Sequence, residues 1–158
     1  MLQPQVALAW IGPAYLLLMT LPLAFIDIRQ RRLPNKIVLP GLAITLVGQM
    51  LSVLAGAQWQ QLAVAWATAV TVFALAAVAN YFGALGMGDV KLMALMTAAL
   101  SWFGWQHPLI AFAVAFVLAT AGVLVLFVAR RAKLGSTVAL GPYLLDGFAV
   151  AATGLAWS

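Results

Sequence analysis

A chain of 158 residues that is 66% hydrophobic and 7% charged, with a mean hydropathy of +1.09, lies far from the soluble average of about 25% charged residues. This composition belongs to a membrane protein. The net charge of +5 does not point to nucleic acid, because the basic residues form no broad stripe and there is no recognition module for them to serve. The absence of cysteine excludes a disulfide framework, thiol catalysis and a thiolate zinc site, and a single histidine, His107, leaves no histidine-rich metal site or histidine-assisted nucleophile.

In chain order, the apolar run from about 5 to 26 is long enough to span, since about 22 residues at 1.5 Å each give roughly 33 Å. It lacks the basic flank and small-residue cleavage site of a signal peptide and reads as a retained first helix, bent by Pro13 and Pro22. It ends at Asp27, after which come Arg29, Arg31, Arg32 and Lys36, with Pro34-Asn35 breaking the helical pattern. A second span is expected over about 38–56 and a third over about 62–79. A glycine-containing loop from 80 to 88 leads into a fourth and shortest span, 89–103. A fifth, about 109–129, ends at Arg130, Arg131 and Lys133, and a sixth occupies about 139–156. The fold expected is an all-α, polytopic membrane bundle of six helices forming one domain over 1–158.

All eight basic residues fall in alternate connections or at their edge, and the two opposite loops carry none. With the basic side in the cytoplasm, both termini are exterior and Asp27 and Asp89 share the cytoplasmic edge. The basic clusters also suit anionic membrane lipids. The tryptophans read as interfacial anchors, and Gly41, Gly48 and Gly122 as sites of close helix contact.

Only three acidic residues are present, Asp27, Asp89 and Asp146. An ionisable group at the edge of the hydrocarbon marks a functional site unless something simpler explains it. Two carboxylates around one water cannot both ionise cheaply: one keeps a proton while the other serves as a base, chemistry that hydrolyses a peptide without metal or cofactor. The simpler readings are that Asp89 caps the fourth helix and that Asp27 neutralises Arg29 or Arg31. Gly86 and Gly88 permit close backbone approach. Lys91 either snorkels to the surface or lowers the charge cost at the pair, and Arg32 and Asn35 either shape the active loop or serve topology and the turn. Asp146, within the last helix, reads as structural or modulatory.

At these residues the sequence resembles the type IV prepilin peptidase family of membrane aspartic proteases. Asp27-Ile28-Arg29-Gln30-Arg31-Arg32-Leu33-Pro34-Asn35 is similar to the family's first aspartate segment, and Gly86-Met87-Gly88-Asp89-Val90-Lys91-Leu92 to its Gly-any-Gly-Asp motif; Gly141-Pro142-Tyr143 is typical of its last helix. The resemblance implies cleavage of prepilin or pseudopilin leader peptides at the cytoplasmic face of the bacterial inner membrane, with Asp27 and Asp89 as the catalytic pair. Larger relatives carry paired CxxC motifs in a methyltransferase domain. With no cysteine here, cleavage without methylation is expected, as in the short peptidases of tight-adherence pilus systems. A carboxylate-dependent transporter or channel is the alternative, and a structural assembly protein the third reading.

Overall fold

The computed structural model of the protein describes residues 3–30, 33–128 and 140–155. They form α1 (Pro4–Ala9), α2 (Ile11–Gln30), α3 (Asn35–Leu54), α4 (Trp59–Tyr81), α5 (Met87–Ser101), α6 (Gln106–Val128) and α7 (Gly141–Leu155), with no strand among the described residues. The chain is an all-α membrane bundle. Arg31, Arg32, Arg130, Arg131, Lys133 and Trp157 lie outside the described residues.

The first expected span is a broken helix. Pro13 has no N–H for the carbonyl of Ala9, so α1 ends there and the chain turns at Trp10 before α2 begins. Pro22, in contrast, sits inside α2. No glycine or proline occurs between Leu23 and Arg32, and α2 continues to Gln30, four residues beyond the expected end. Asp27 therefore lies inside a helix. Leu16, Leu23 and Asp27, spaced by seven and four, are buried on one stripe of α2, facing the rest of the bundle.

Four segments are long and apolar enough to cross a bilayer: Pro4–Gln30, Asn35–Leu54, Trp59–Tyr81 and Gln106–Val125. The other two expected crossings correspond to α5 and α7, which have 15 residues each against the roughly 20 that a helix lying straight across the hydrocarbon needs. Length alone thus accounts for four of the six.

Shortness suits α5 to the centre. Every residue from Leu92 to Ser101 is buried, and α2, α3, α4, α6 and α7 all pack against it. Ala94, Ala98 and Ala99 keep its girth small. The outer helices turn large apolar side chains outward, including Leu21 on α2, Leu54 on α3 and Val128 on α6, as a lipid solvent allows. One buried polar bridge ties three helices together: the Trp66 indole N–H donates to Gln49 Oε1 at 2.8 Å, and Gln49 Nε2 donates to the Ala98 carbonyl at 2.8 Å. Trp66 and the buried Trp102 thus point inward and depart from the anchor reading, which fits the exposed Trp59 and Trp105.

Small residues set the helix contacts, as anticipated at Gly41 against Leu95 and Tyr15, and at Gly48 against the Leu8 carbonyl. The tightest lies on α7, where a β-carbon at Gly147 would sit 2.9 Å from the Ala115 amide nitrogen and closer still to the Ala111 carbonyl oxygen. Backbone cannot swing aside as a side chain does. Gly147→Ala should therefore destabilise the bundle by about 1–3 kcal/mol, the usual range for overpacking, read as a lower thermal midpoint of the purified protein in detergent. An unchanged midpoint would mean that the α6–α7 contact is looser than described.

Candidate active site

The end of α2, the start of α3 and the start of α5 enclose a cavity of about 340 Å³ lined by Asp27, Leu33, Asn35, Gly86, Met87, Gly88, Asp89 and Lys91. A second cavity of about 410 Å³ is lined by Gln5, Val6, Gly56, Ala57, Gln58, Gln61, Trp102 and Phe103. It has no ionisable side chain.

Asp89 reaches this cavity through the start of α5. The helix begins at Met87, two residues before the expected start, with Gly86 as its extended N-cap. This makes Asp89 the third helical residue, from which a side chain can fold back toward the N-cap amide. The Gly86 N–H faces its carboxyl accordingly. The capping reading of Asp89 and its place in the cavity are therefore compatible. Before this helix, the Asn80 side chain donates to the Leu85 carbonyl at 2.6 Å and closes the turn in which Gly83 adopts φ +76°.

Gly88 is required by space. A β-carbon there would lie 3.0 Å from Leu33 Cβ and 3.1 Å from the Leu33 backbone nitrogen, so the segment entering α3 passes directly over the first turn of α5. Gly86 has a different role, since its nearest neighbour would be the Asp89 carboxyl at 3.1 Å.

Asp27 is 4% exposed, and its Oδ2 has no hydrogen-bond partner. Its neutralisation by Arg29 does not occur: that guanidinium lies 4.6 Å over the Phe25 ring. Lys91 likewise directs its ammonium at Asn35, donating to Oδ1 at 2.9 Å, and so joins α5 to the start of α3 at the cavity wall. Both Lys91 and Asn35 are thus site neighbours, whereas Arg32 lies outside the described residues. Asp146 is exposed on α7, off the buried face of Gly141, Leu144, Leu145 and Phe148, and does not line the cavity. His107 sits in the first turn of α6, with its Nδ1 3.2 Å from the Gly104 carbonyl, and is absent from the cavity lining.

Asp89 lies in none of the four long segments. Its carboxyl is pushed up to about 6, by burial first and by the nearby Asp27 charge second, against the opposing pull of the Gly86 amide.

Residues 14–129 match the type IV leader peptidase family. The chain belongs to that family. A prepilin leader peptidase/N-methyltransferase of Pseudomonas putida is 36% identical over 132 residues, which cover 78% of this chain and 43% of that relative. This leader peptidase family member therefore spans less than half the length of the curated relative it matches. No solved structure matches it.

The raised Asp89 value carries a stability cost with a definite sign. A folded value near 6 against an ordinary 3.8 means that the folded state binds the proton more tightly, so stability is lost as pH rises through this window. Asp89→Asn should accordingly raise the thermal midpoint at pH 7.5, and the gain should shrink as pH falls from about 6 to 4. A midpoint that drops at pH 7.5, or a gain independent of pH, would contradict the origin given for the shift.

Proposed function

We propose that the chain is an aspartic endopeptidase that cleaves the leader peptides of prepilins or pseudopilins, with Asp27 and Asp89 as its catalytic pair. The observation that carries this reading is that Asp27 and Asp89, from two separate helices, line one cavity at one end of the bundle, where the charge of Asp27 raises the Asp89 carboxyl. Within the pair, one carboxylate takes a proton from water as the water oxygen adds to the scissile carbonyl carbon. The other, protonated, donates a hydrogen bond to the carbonyl oxygen. Collapse of the tetrahedral intermediate breaks the C–N bond, and a proton passes to the leaving amine. Burial and the nearby Asp27 charge raise the Asp89 carboxyl, which favours its protonated form relative to an ordinary aspartate.

Gly88 lets the segment entering α3 pass over the start of α5, Gly86 leaves room for the Asp89 carboxyl, and Lys91 and Asn35 hold the cavity wall. Arg32 is assigned to the same edge on its sequence position alone. The site faces the cytoplasm of a bacterial inner membrane in this proposal. Arg29, Lys36 and Lys91 lie in helix turns at or next to the cavity, the remaining basic residues fall in the α2–α3 and α6–α7 connections, and the α3–α4 and α5–α6 connections carry none. Both termini are then exterior if α5 and α7 also cross, and anionic lipids meet the basic connections. Cleavage without methylation is proposed for these 158 residues, because they contain no cysteine for the paired motifs of methylating relatives.

In a reconstituted assay on a prepilin, Asp27→Asn and Asp89→Asn should each lower turnover at least about 100-fold, the scale of a lost acid–base group. Asp146→Asn should still cleave. Near-normal turnover by either of the first two folded variants would remove the pair from the mechanism. Failure of the unaltered chain on several prepilins, together with carboxylate-dependent ion flux in vesicles, would move the reading to a transporter.

Cysteines placed at Gln58 and Gln106 should react with an impermeant thiol reagent from outside the cell, and one at Gln30 should not. The reverse pattern would put the site on the wrong face. The intact mass of the cleaved pilin, incubated with a methyl donor, should show no added methyl group; its presence would overturn the restriction to cleavage.

A further inference from the structure

The first residue of α7 lies against Asp27. A β-carbon at Gly141 would sit 2.9 Å from Asp27 Cγ, 3.4 Å from its Cβ and closer still to Oδ2. Gly141 is itself buried and leads the face of α7 that continues through Leu144, Leu145 and Phe148 into the core. Among the described residues the glycines with positive φ are Gly56, Gly83 and Gly104, and Gly141 is not one of them. Its backbone conformation would thus accept alanine, and only the Asp27 carboxyl stands in the way.

Its neighbour sharpens the point. Pro142 has no N–H, and the Leu144 N–H is already given to the Leu140 carbonyl at 3.1 Å. Of the amides at this helix start, the Gly141 N–H faces the Asp27 carboxyl, on the side where Oδ2 is buried with no hydrogen-bond partner. Asp27 is therefore confined on one side by a helix start with no side chain, and its other side opens on the cavity that Asp89 lines.

We propose that Gly141 is a positioning residue for the leader peptidase reaction: by presenting an amide and no β-carbon, it holds the Asp27 carboxyl turned toward Asp89 and the shared water. This inference rests on Asp27 belonging to the reacting pair. It accounts for a glycine where neither a turn nor a positive φ demands one. It also brings α7 into the site, although no residue of that helix lines the cavity.

The test joins a kinetic split to a stability cycle on the full chain in detergent. Gly141→Ala should lower kcat on a prepilin about 100-fold, the scale of a small misplacement of a reacting group, with KM changed less than about twofold because the cavity wall other than Asp27 is untouched. Gly154→Ala, on the same helix with open space around its β-carbon, should leave both constants unchanged. Thermal midpoints are then compared for the unaltered chain, Gly141→Ala, Asp27→Ala and the double variant. If the added methyl collides with the Asp27 carboxyl, the loss caused by Gly141→Ala shrinks when Asp27 is already alanine. Should Gly141→Ala alone fail to fold, recovery of a folded double variant reports the same collision. Additive midpoints, a double variant that also fails to fold, or a folded Gly141→Ala with normal kcat overturns the inference and leaves the peptidase reading in place. An unaltered chain that cleaves no prepilin overturns that reading, and the positioning role with it.

Discussion

A carboxyl on the buried stripe of a membrane helix sets the terms for everything packed against it. Asp27 shares its stripe with Leu16 and Leu23, so the register that buries two leucines also buries the acid. Apolar side chains could not surround it without leaving its oxygens stranded. What surrounds it here is the beginning of other helices. Near the last turn of α2 lie Asn35 at the start of α3, Asp89 in the first turn of α5 and Gly141 at the start of α7. Helix starts present unbonded amides and the positive end of the macrodipole, which lowers the cost of negative charge in that place.

The same constraint explains why α5 is short and why it is central. Its first turn must meet α2 at the polar end, whereas the rest must fill the space between five neighbours, which favours small and unbranched side chains over a lipid-facing surface. Gln49 is another polar group accepted into this interior, beside Thr45, Ser52, Thr97 and Ser101. It is tolerated because its amide is used on both sides, by Trp66 and by the Ala98 carbonyl. The contrast with Asp27 is physical. Gln49 is satisfied and ties helices together, whereas Asp27 keeps a buried oxygen with no hydrogen-bond partner on its Gly141 side.

Much of this was legible in the sequence because charge is so scarce. Asp27 and Asp89 stand out against apolar runs, Gly88 sits where close backbone approach is needed, and each of the helical segments was recognisable as an apolar block between breakers. Helix ends were less legible. Nothing between Leu23 and Arg32 breaks a helix, yet the cluster of charges after Asp27 suggested a loop, and only packing reveals that α2 continues and buries the acid. Lys91 and Trp66 carry no sign of their partners, since Asn35 and Gln49 are distant in sequence. Gly141 was visible as part of a motif but not as a neighbour of Asp27, because that contact depends on how α7 docks across α2. A glycine followed by proline at the start of an apolar block is the one clue the chain offers.

The way α7 is fastened gives the site a mechanical connection to its solvent. Along its length α7 lies against α6, with Gly147 pressed on the backbone at Ala111 and Ala115 and Tyr143 against Gly122, while its first residue touches Asp27. α6 is among the helices long enough to cross the bilayer and carries much of its apolar surface outward. Such a helix tilts to match the thickness of the hydrocarbon around it. With so little slack at Gly147, α7 is held closely to α6 while its first residue meets the Asp27 carboxyl, so one short helix touches both a lipid-facing helix and the site.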